Sequence, residues 1–175
     1  YGKIQQILGE QATSCLTPVS AYTGQPETQG GLVKTLDFKI YLGLLTETYN
    51  DAHQDDLKRT GAVAIDMVIG NLYPFKETIS KPDVTVEQAR GNIDIGGPCM
   101  IRASAKNFIR VASVVDPADY ETIISDLKKN SGAISLDLRF QLAQKAFDHT
   151  AVYDRTIADF LKSKLCDEAK GCYAI

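Results

Sequence analysis

The chain has 175 residues, of which 44% are hydrophobic and 23% are charged, and its formal net charge is −3. This length and composition predict one globular domain with a real core and argue against disorder. Lysine and arginine are dispersed rather than clustered, which argues against nucleic acid as a partner. A small phosphorylated ligand stays possible, because one phosphate needs only a helix terminus and one or two cations.

Location and metal content can be predicted in the same way. No apolar run approaches the roughly 20 residues that cross a bilayer, and the first residues do not have the pattern of a signal sequence. We therefore expect a cytoplasmic protein with no membrane partner. The four cysteines (Cys15, Cys99, Cys166 and Cys172) form no CxxC pair, and the chain has only two histidines. We expect reduced thiols, no disulfide framework and no metal site.

The predicted elements before residue 70 are short. The first of them are a helix remnant (3–8), an extended segment (17–19) and turns (23–26 and 30–31). Residues 36–45 predict a loop followed by a short strand or helix. A polar helix is predicted at residues 55–60, with Gly61 ending it, and the apolar run 65–69 is typical of a buried parallel strand.

The helical patterns are stronger after residue 84. Thr85 predicts the start of a short helix that reaches residue 90. The elements that follow are a buried strand (109–115), a helix (117–129), a stop (130–132) and a long helix (135–161). Alternating strands and helices predict an α/β fold with a mainly parallel sheet, whose ligands lie beyond the carboxyl ends of the strands. We assign residues 1–165 to one domain and 166–175 to a weakly patterned tail.

A central segment combines features of a ligand site. Residues 93–95 alternate like a short strand, and Gly96-Gly97 allows backbone N–H groups to approach a ligand closely. Pro98 fits the first position of a helix, and a helix N-terminus favours anions. These residues alone leave a second interpretation open. In it the glycines only form a loop, and Arg102 and Lys106 lie on a solvated helix face.

Five segments, taken in order, resemble the IMP cyclohydrolase domain of the bifunctional AICAR transformylase/IMP cyclohydrolase family. They are Lys34-Thr35-Leu36, Asn71-Leu72-Tyr73-Pro74-Phe75, the central segment 92–107, residues 114–120, and residues 139–150. The resemblance covers about residues 17–161. It implies a methylglyoxal-synthase-like three-layer sandwich with a mainly parallel sheet, no cofactor, a homodimer, and a purine nucleotide as the ligand.

The resemblance also implies a reaction, the dehydrative ring closure of formyl-AICAR to IMP. Lys34, Tyr73, Asp94 and Lys106 occupy the catalytic positions. We assign Lys34 to the developing oxyanion, Asp94 to the attacking amide, and Tyr73 and Lys106 to proton transfer. The residues expected to bind substrate are Thr35, Asn71, Gly96, Gly97 and Arg102.

Each assignment has a structural alternative. Asp94 alone fits a turn cap, and Tyr73 alone fits a core aromatic residue whose hydroxyl is satisfied. Arg102 fits a structural ion pair. A helix that starts at Pro98 carries Lys106 about 12 Å along its axis, so Lys106 cannot touch the same atom as Gly97. His149 lies in a segment shared with the family, and we interpret it as structural.

The chain departs from the family pattern beside Lys34. Leu32, Asp37 and Phe38 stand where the family has Arg, His and Pro, and leucine cannot replace a guanidinium. The family's leading phosphate-binding unit does not precede Gly2 in this sequence, which leaves open both a fragment of a longer chain and a protein without that unit. We therefore keep two alternatives to a stand-alone cyclohydrolase that works beside a separate AICAR transformylase. One is a non-catalytic purine-nucleotide-binding regulatory module, and the other is a lyase like methylglyoxal synthase, against which the purine-type motifs argue.

Overall fold

A computed structural model describes residues 16–26 and 36–173. The chain divides into two compact units, residues 1–37 and 38–175. Several expectations lie outside the described residues, and they concern the helix remnant 3–8, the turn at 30–31, Cys15, Leu32, Lys34 and Thr35.

The described part of the first unit contains one short helix, α1 (Val19–Thr23). Pro18 before it is extended, as predicted, but the expectation of an extended Val19 is wrong. The hydroxyl of Thr23 donates to the carbonyl of Val19 over 2.8 Å, which closes the turn. Gly24 then ends the helix with a φ of 76°, in the left-handed region that glycine tolerates.

The second unit contains the remaining described helices and both described strands. The helices are α2 (Phe38–Leu45), α3 (Asp51–Thr60), α4 (Phe75–Ile79), α5 (Val86–Arg90), α6 (Gly96–Lys106), α7 (Tyr120–Lys129), α8 (Leu136–Lys162) and α9 (Cys166–Lys170). The strands are β1 (Met67–Ile69) and β2 (Ala112–Val114), and a single 3-10 turn (Pro117–Asp119) precedes α7. Of the two options for residues 36–45, the helix is the one observed.

β1 and β2 pair in parallel, with Met67 opposite Ala112 and Ile69 opposite Val114. Both strands were predicted. Each is shorter than the apolar run that predicted it, because only three residues of each strand form pairs with the other strand. The strand expected at residues 93–95 is wrong. The amide of Ile93 instead donates to the carbonyl of Arg90, so these residues continue the turn that follows α5.

Helices cover both faces of this parallel pair. Ala112 and Val114 pack with Ile123 of α7 and with Leu138 and Leu142 of α8. Ser113, between them, points to the other face. Its hydroxyl accepts a hydrogen bond over 2.8 Å from that of Ser104 on α6, and both serines are buried. α6 and α7 therefore lie on opposite faces of the strand pair, and α8, which packs on β2 beside α7, also packs directly against α6 through Ala143 and Ala146.

Local capping explains where the helices begin and end. Gly61 ends α3 with a φ of 66°, as predicted, whereas Asn50, which caps the start of that helix, extends it four residues beyond the prediction. Thr85 and Gln88 form the capping box of α5. The hydroxyl of Ser135 accepts from the amide of Leu138 and begins α8.

The tail is more ordered than its sequence pattern suggested. Residues Cys166–Lys170 form α9, and the hydroxyl of Tyr173 donates to the carboxylate of Glu87 on α5. The guanidinium of Arg90 bonds to both Glu87 and Tyr173. Within the described ranges, no helix combines the length and the apolar character that a membrane span requires.

Candidate functional site

Asp94 joins three segments of the chain. One carboxylate oxygen, Oδ1, accepts from the amide of Gly97 at 2.9 Å, and the other, Oδ2, accepts from the amide of Tyr73 at 3.3 Å. The amide of Asp94 donates to the hydroxyl of Tyr153 on α8 at 2.8 Å. Asp94 therefore holds the loop after β1 against the start of α6, and it takes the turn-capping role that the sequence left open.

The two glycines lie inside the first turn of α6 rather than before it. Gly96 is its first residue and Pro98 its third, so the expectation that Pro98 begins the helix is wrong. A Cβ on Gly97 would lie 2.5 Å from Oδ2 of Asp94 and 2.8 Å from Cδ2 of Leu72. Glycine is therefore required at position 97 for the carboxylate of Asp94 to come close to the start of α6. The amide of Gly97 is occupied by Asp94, which corrects the expectation that this amide is open to a ligand.

The motif of residues 71–75 divides into core and exposed positions. Phe75 is 1% exposed and packs edge-on against Tyr153 and Phe160. Leu72 packs beside the core cluster that α6 shares with α8. Tyr73 is 45% exposed, so the alternative of a core tyrosine is wrong. The motif thus anchors its loop through Leu72 and Phe75 and leaves Asn71 and Tyr73 accessible.

A row of polar residues on α8, spaced four apart, holds the loops of this region. It consists of Lys145, His149 and Tyr153, which we call the α8 polar row. Residues four apart share one face of a helix. Nζ of Lys145 lies 2.8 Å from Asp116 after β2, and Nε2 of His149 lies 3.2 Å from Oδ1 of Asn71 after β1.

Tyr153, at the end of the row, bonds to the segment before α6. Its hydroxyl accepts from the amide of Asp94 and donates to the carbonyl of Asn92 at 3.2 Å. Burial is the main reason why the pKa of Tyr153 is raised, so its hydroxyl stays protonated and can keep donating. Sequence analysis missed Tyr153 and Lys145, although their spacing of four on either side of His149 was a usable signal.

Charge is concentrated after β2. Lys145 forms ion pairs with Asp116 at 2.8 Å and with Asp119 at 2.9 Å. The hydrogen bond from Lys145, followed by the one from the amide of Ala118, lowers the pKa of Asp116. Asp116 therefore stays ionised at neutral pH, next to the loop that carries Asn71.

A cavity of about 150 Å³ lies beyond the carboxyl ends of both strands, where ligands bind in open α/β sheets. Its lining residues are Ile69, Gly70, Asn71, Val114, Val115, Asp116, Pro117 and Tyr120. A larger groove of about 560 Å³ runs between α7 and the start of α8, but none of the predicted site residues lines it. The smaller cavity is the better candidate, because it adjoins Asn71 and the α8 polar row.

Lys106 and Arg102 lie further along α6 than Gly97. Lys106 is the exposed last residue of α6, about 13 Å along the axis from Gly97 at 1.5 Å per residue. The guanidinium of Arg102 lies over the ring of Phe147 at 5.4 Å from its centroid, a cation–π contact in place of the ion pair considered from the sequence. The described structure therefore brings together Asn71, Tyr73, Asp94 and Gly97, and it places Lys106 at the other end of α6.

Cysteines and metal ligands add nothing to this region. Cys99, Cys166 and Cys172 are free, and the side chain of Cys99 is exposed in the first turn of α6. In the part of the chain that the structure describes, no three His, Cys, Asp or Glu side chains are grouped to hold a metal ion.

Comparison with known proteins gives consistent matches. The chain is 46% identical over 163 residues to the bifunctional purine biosynthesis protein PurH of Synechococcus sp. (strain CC9605), which covers 93% of this chain and 31% of that protein. It is 53% identical over 146 residues to the PurH protein of Thermoanaerobacter sp. (strain X514), and this match covers 83% of this chain and 28% of that protein. The chain thus spans about three tenths of the length of these curated relatives.

A solved structure and a family model agree with these relatives. The crystal structure of ForH superposes with a TM-score of 0.71 at 29% identity and covers 89% of this chain and 81% of that chain. The predicted fold class, a methylglyoxal-synthase-like α/β sandwich with parallel strands, is confirmed. The model of the AICARFT/IMPCHase bienzyme matches residues 104–173. Over most of its length the chain is therefore similar to one part of the AICARFT/IMPCHase bienzyme proteins.

Proposed function

We propose that the chain acts in purine biosynthesis as an IMP cyclohydrolase, which closes formyl-AICAR to IMP. The curated relatives are named as bifunctional purine biosynthesis proteins, and the matching family model carries the cyclohydrolase in its name. One observation carries the proposal. The resemblance assigns Asn71, Tyr73 and Asp94 to the site. Asp94 lies 21 positions after Tyr73 in the sequence, yet its carboxylate bonds to the loop that carries Asn71 and Tyr73, beside the carboxyl end of β1.

The reaction is a condensation within one molecule. The carboxamide nitrogen of formyl-AICAR attacks the formyl carbon, a C–N bond forms, and the nitrogen loses its proton. The formyl oxygen takes up this proton and a second one from the formamido nitrogen, whose bond to the formyl carbon becomes double, and it leaves as water. The reaction needs a cation or a donor at this oxygen and an acceptor for the amide proton, and it needs no cofactor.

Under this proposal each residue has a stated task. Lys34 stabilises the developing oxyanion, and the exposed hydroxyl of Tyr73 takes part in proton transfer. Asp94 orients the loop of Tyr73 through its two backbone contacts and accepts from the substrate amide with its remaining lone pairs. Lys106, at the far end of α6, reaches a different part of the nucleotide.

A specific observation favours a second candidate, a nucleotide-binding module without catalysis. Both carboxylate oxygens of Asp94 already accept from backbone amides. Each of these bonds occupies a lone pair that would otherwise be free to accept from a substrate. A module that only binds purine nucleotides would keep this arrangement and lack turnover.

The experiment that tests the proposal is the formation of IMP from formyl-AICAR, followed by ultraviolet absorbance. We compare the chain itself with the variants Lys34→Ala and Lys58→Ala. Lys58→Ala is the control, because the side chain of Lys58 on α3 is 77% exposed. We expect turnover that Lys34→Ala abolishes and Lys58→Ala leaves unchanged. Turnover equal in all three proteins would remove Lys34 from the mechanism.

Absence of turnover would reject the cyclohydrolase. If calorimetry then showed that IMP or AICAR still binds, the second candidate would replace it.

The cytoplasmic location, the homodimer and a separate AICAR transformylase stay predictions, and sedimentation of the purified chain tests the homodimer.

A further inference from the structure

The orientation of the Asn71 side chain follows from its backbone neighbour. Oδ1 of Asn71 lies 2.8 Å from the amide nitrogen of Leu72, which can only donate. Oδ1 must therefore be the acceptor. The same oxygen lies 3.2 Å from Nε2 of His149, so Nε2 carries a hydrogen and donates as well.

We propose that His149 is a positioning residue for ligand binding, a role that rests on the proposed purine-nucleotide site but does not require turnover. Its Nε2–H and the amide of Leu72 together hold the Asn71 carbonyl oxygen. The Nδ2 amide of Asn71 is thereby presented as a hydrogen-bond donor beside the cavity at the strand ends. The ligand group that meets it is an acceptor, such as a ribose hydroxyl or an amide carbonyl oxygen.

The position of His149 in the α8 polar row supports this role. His149 is half-buried, one turn after Lys145 and one turn before Tyr153, and each neighbour is bonded to a different loop. Asn71 itself is exposed, and the sheet ends two residues before it, at Ile69. Among the contacts of the described residues, the bond from His149 is the one that ties the Asn71 side chain to a helix.

The test uses the full chain and two substitutions of the same histidine. His149→Ala removes the donor, whereas His149→Gln keeps an N–H group near the place of Nε2. Val152→Ala is the matched control, because Val152 is 58% exposed on the same helix. If His149→Ala lowers the melting temperature by several degrees, His149→Leu, which keeps the bulk and removes the donor, takes its place.

The first measurement is amide hydrogen exchange at Leu72 and Tyr73 in the absence of ligand. We expect exchange to be about three- to tenfold faster in His149→Ala, which matches the loss of one hydrogen bond. His149→Gln should restore the original rate to within about twofold, and Val152→Ala should not change it. Unchanged exchange in both donor-free variants would overturn the proposal, whether or not the chain makes IMP.

The second measurement separates binding from chemistry. If Asn71 contacts the ligand equally in the ground state and the transition state, KM for formyl-AICAR rises about three- to tenfold in His149→Ala while kcat stays within about twofold. If the wild-type chain shows no turnover, the cyclohydrolase fails, and the Kd for IMP by calorimetry is compared in the same variants. Loss of affinity that glutamine does not restore would contradict positioning through the N–H group.

Discussion

Replacing Gly97 by alanine tests how Asp94 is held. An added Cβ would lie 2.5 Å from Oδ2 of Asp94 and 2.8 Å from Cδ2 of Leu72, closer than real Cβ contacts come. The carboxylate must then move away from the start of α6. Its bond from the amide of Gly97, now 2.9 Å long, is lost or lengthened, and so is its longer bond from the amide of Tyr73.

Two opposing effects determine how much Gly97→Ala changes the free energy of unfolding. Losing a hydrogen bond to a charged group costs about 1.5–3 kcal/mol. Alanine in place of glycine within a helix returns at most about 1 kcal/mol. With the full return from alanine, the free energy of unfolding should therefore fall by about 0.5–2 kcal/mol, which lowers the melting temperature of a chain of this size by about 1–8 °C.

Urea denaturation followed by circular dichroism measures this change. Gly91→Ala is the matched control, because Gly91 has ordinary right-handed dihedral angles and an added Cβ there would make only ordinary contacts, the nearest at 3.4 Å. The control should be neutral or slightly stabilising. If Gly97→Ala proved as stable as the wild-type chain, the close approach of Asp94 to α6 would not be what requires glycine.

Two further predictions concern contacts away from the site. Hydrogen bonds from Arg90 and Tyr173 lower the pKa of Glu87 from 4.5 to about 2, so the stabilisation from these contacts is complete above pH 4.5 and is lost as the pH falls towards 2. Glu87→Gln should make the melting temperature fall less steeply between pH 5 and pH 2.5, and parallel curves for the two proteins would contradict this coupling. For the buried hydroxyl pair of Ser104 and Ser113, each single change to alanine should cost about 1 kcal/mol, and the double change should cost less than the sum, because it leaves no hydroxyl without its partner. A double-mutant cycle in urea measures the difference, and strictly additive costs would show that the two hydroxyls are not coupled.

Local signals predicted several helix ends correctly. Gly61, Thr85 and Ser135 each mark a helix end that the structure contains, because capping depends on residues within a few positions. The strand at residues 93–95 was predicted from alternation alone and is wrong. A strand needs a partner, and the backbone there is used by the turn after α5.

The site was predictable in part. Asn71, Tyr73, Asp94 and Gly97 do come together, but the resemblance could not tell that the carboxylate of Asp94 caps α6. The α8 polar row was missed because its partners come from loops 29–78 positions away in sequence. Their spacing of four indicates a shared helix face, but the spacing does not say which loops that face contacts.

The α8 polar row makes the site sensitive to the rotational phase of one helix. Each residue inserted into an α-helix turns everything after it by about 100° and advances it by 1.5 Å. An insertion in α8 ahead of Lys145 would carry Lys145, His149 and Tyr153 away from their loops in a single step. An insertion at Gly132, which sits in a turn with a φ of 92°, leaves the helix intact. Length variation in this fold is therefore expected in the turn before α8 and not within its first half.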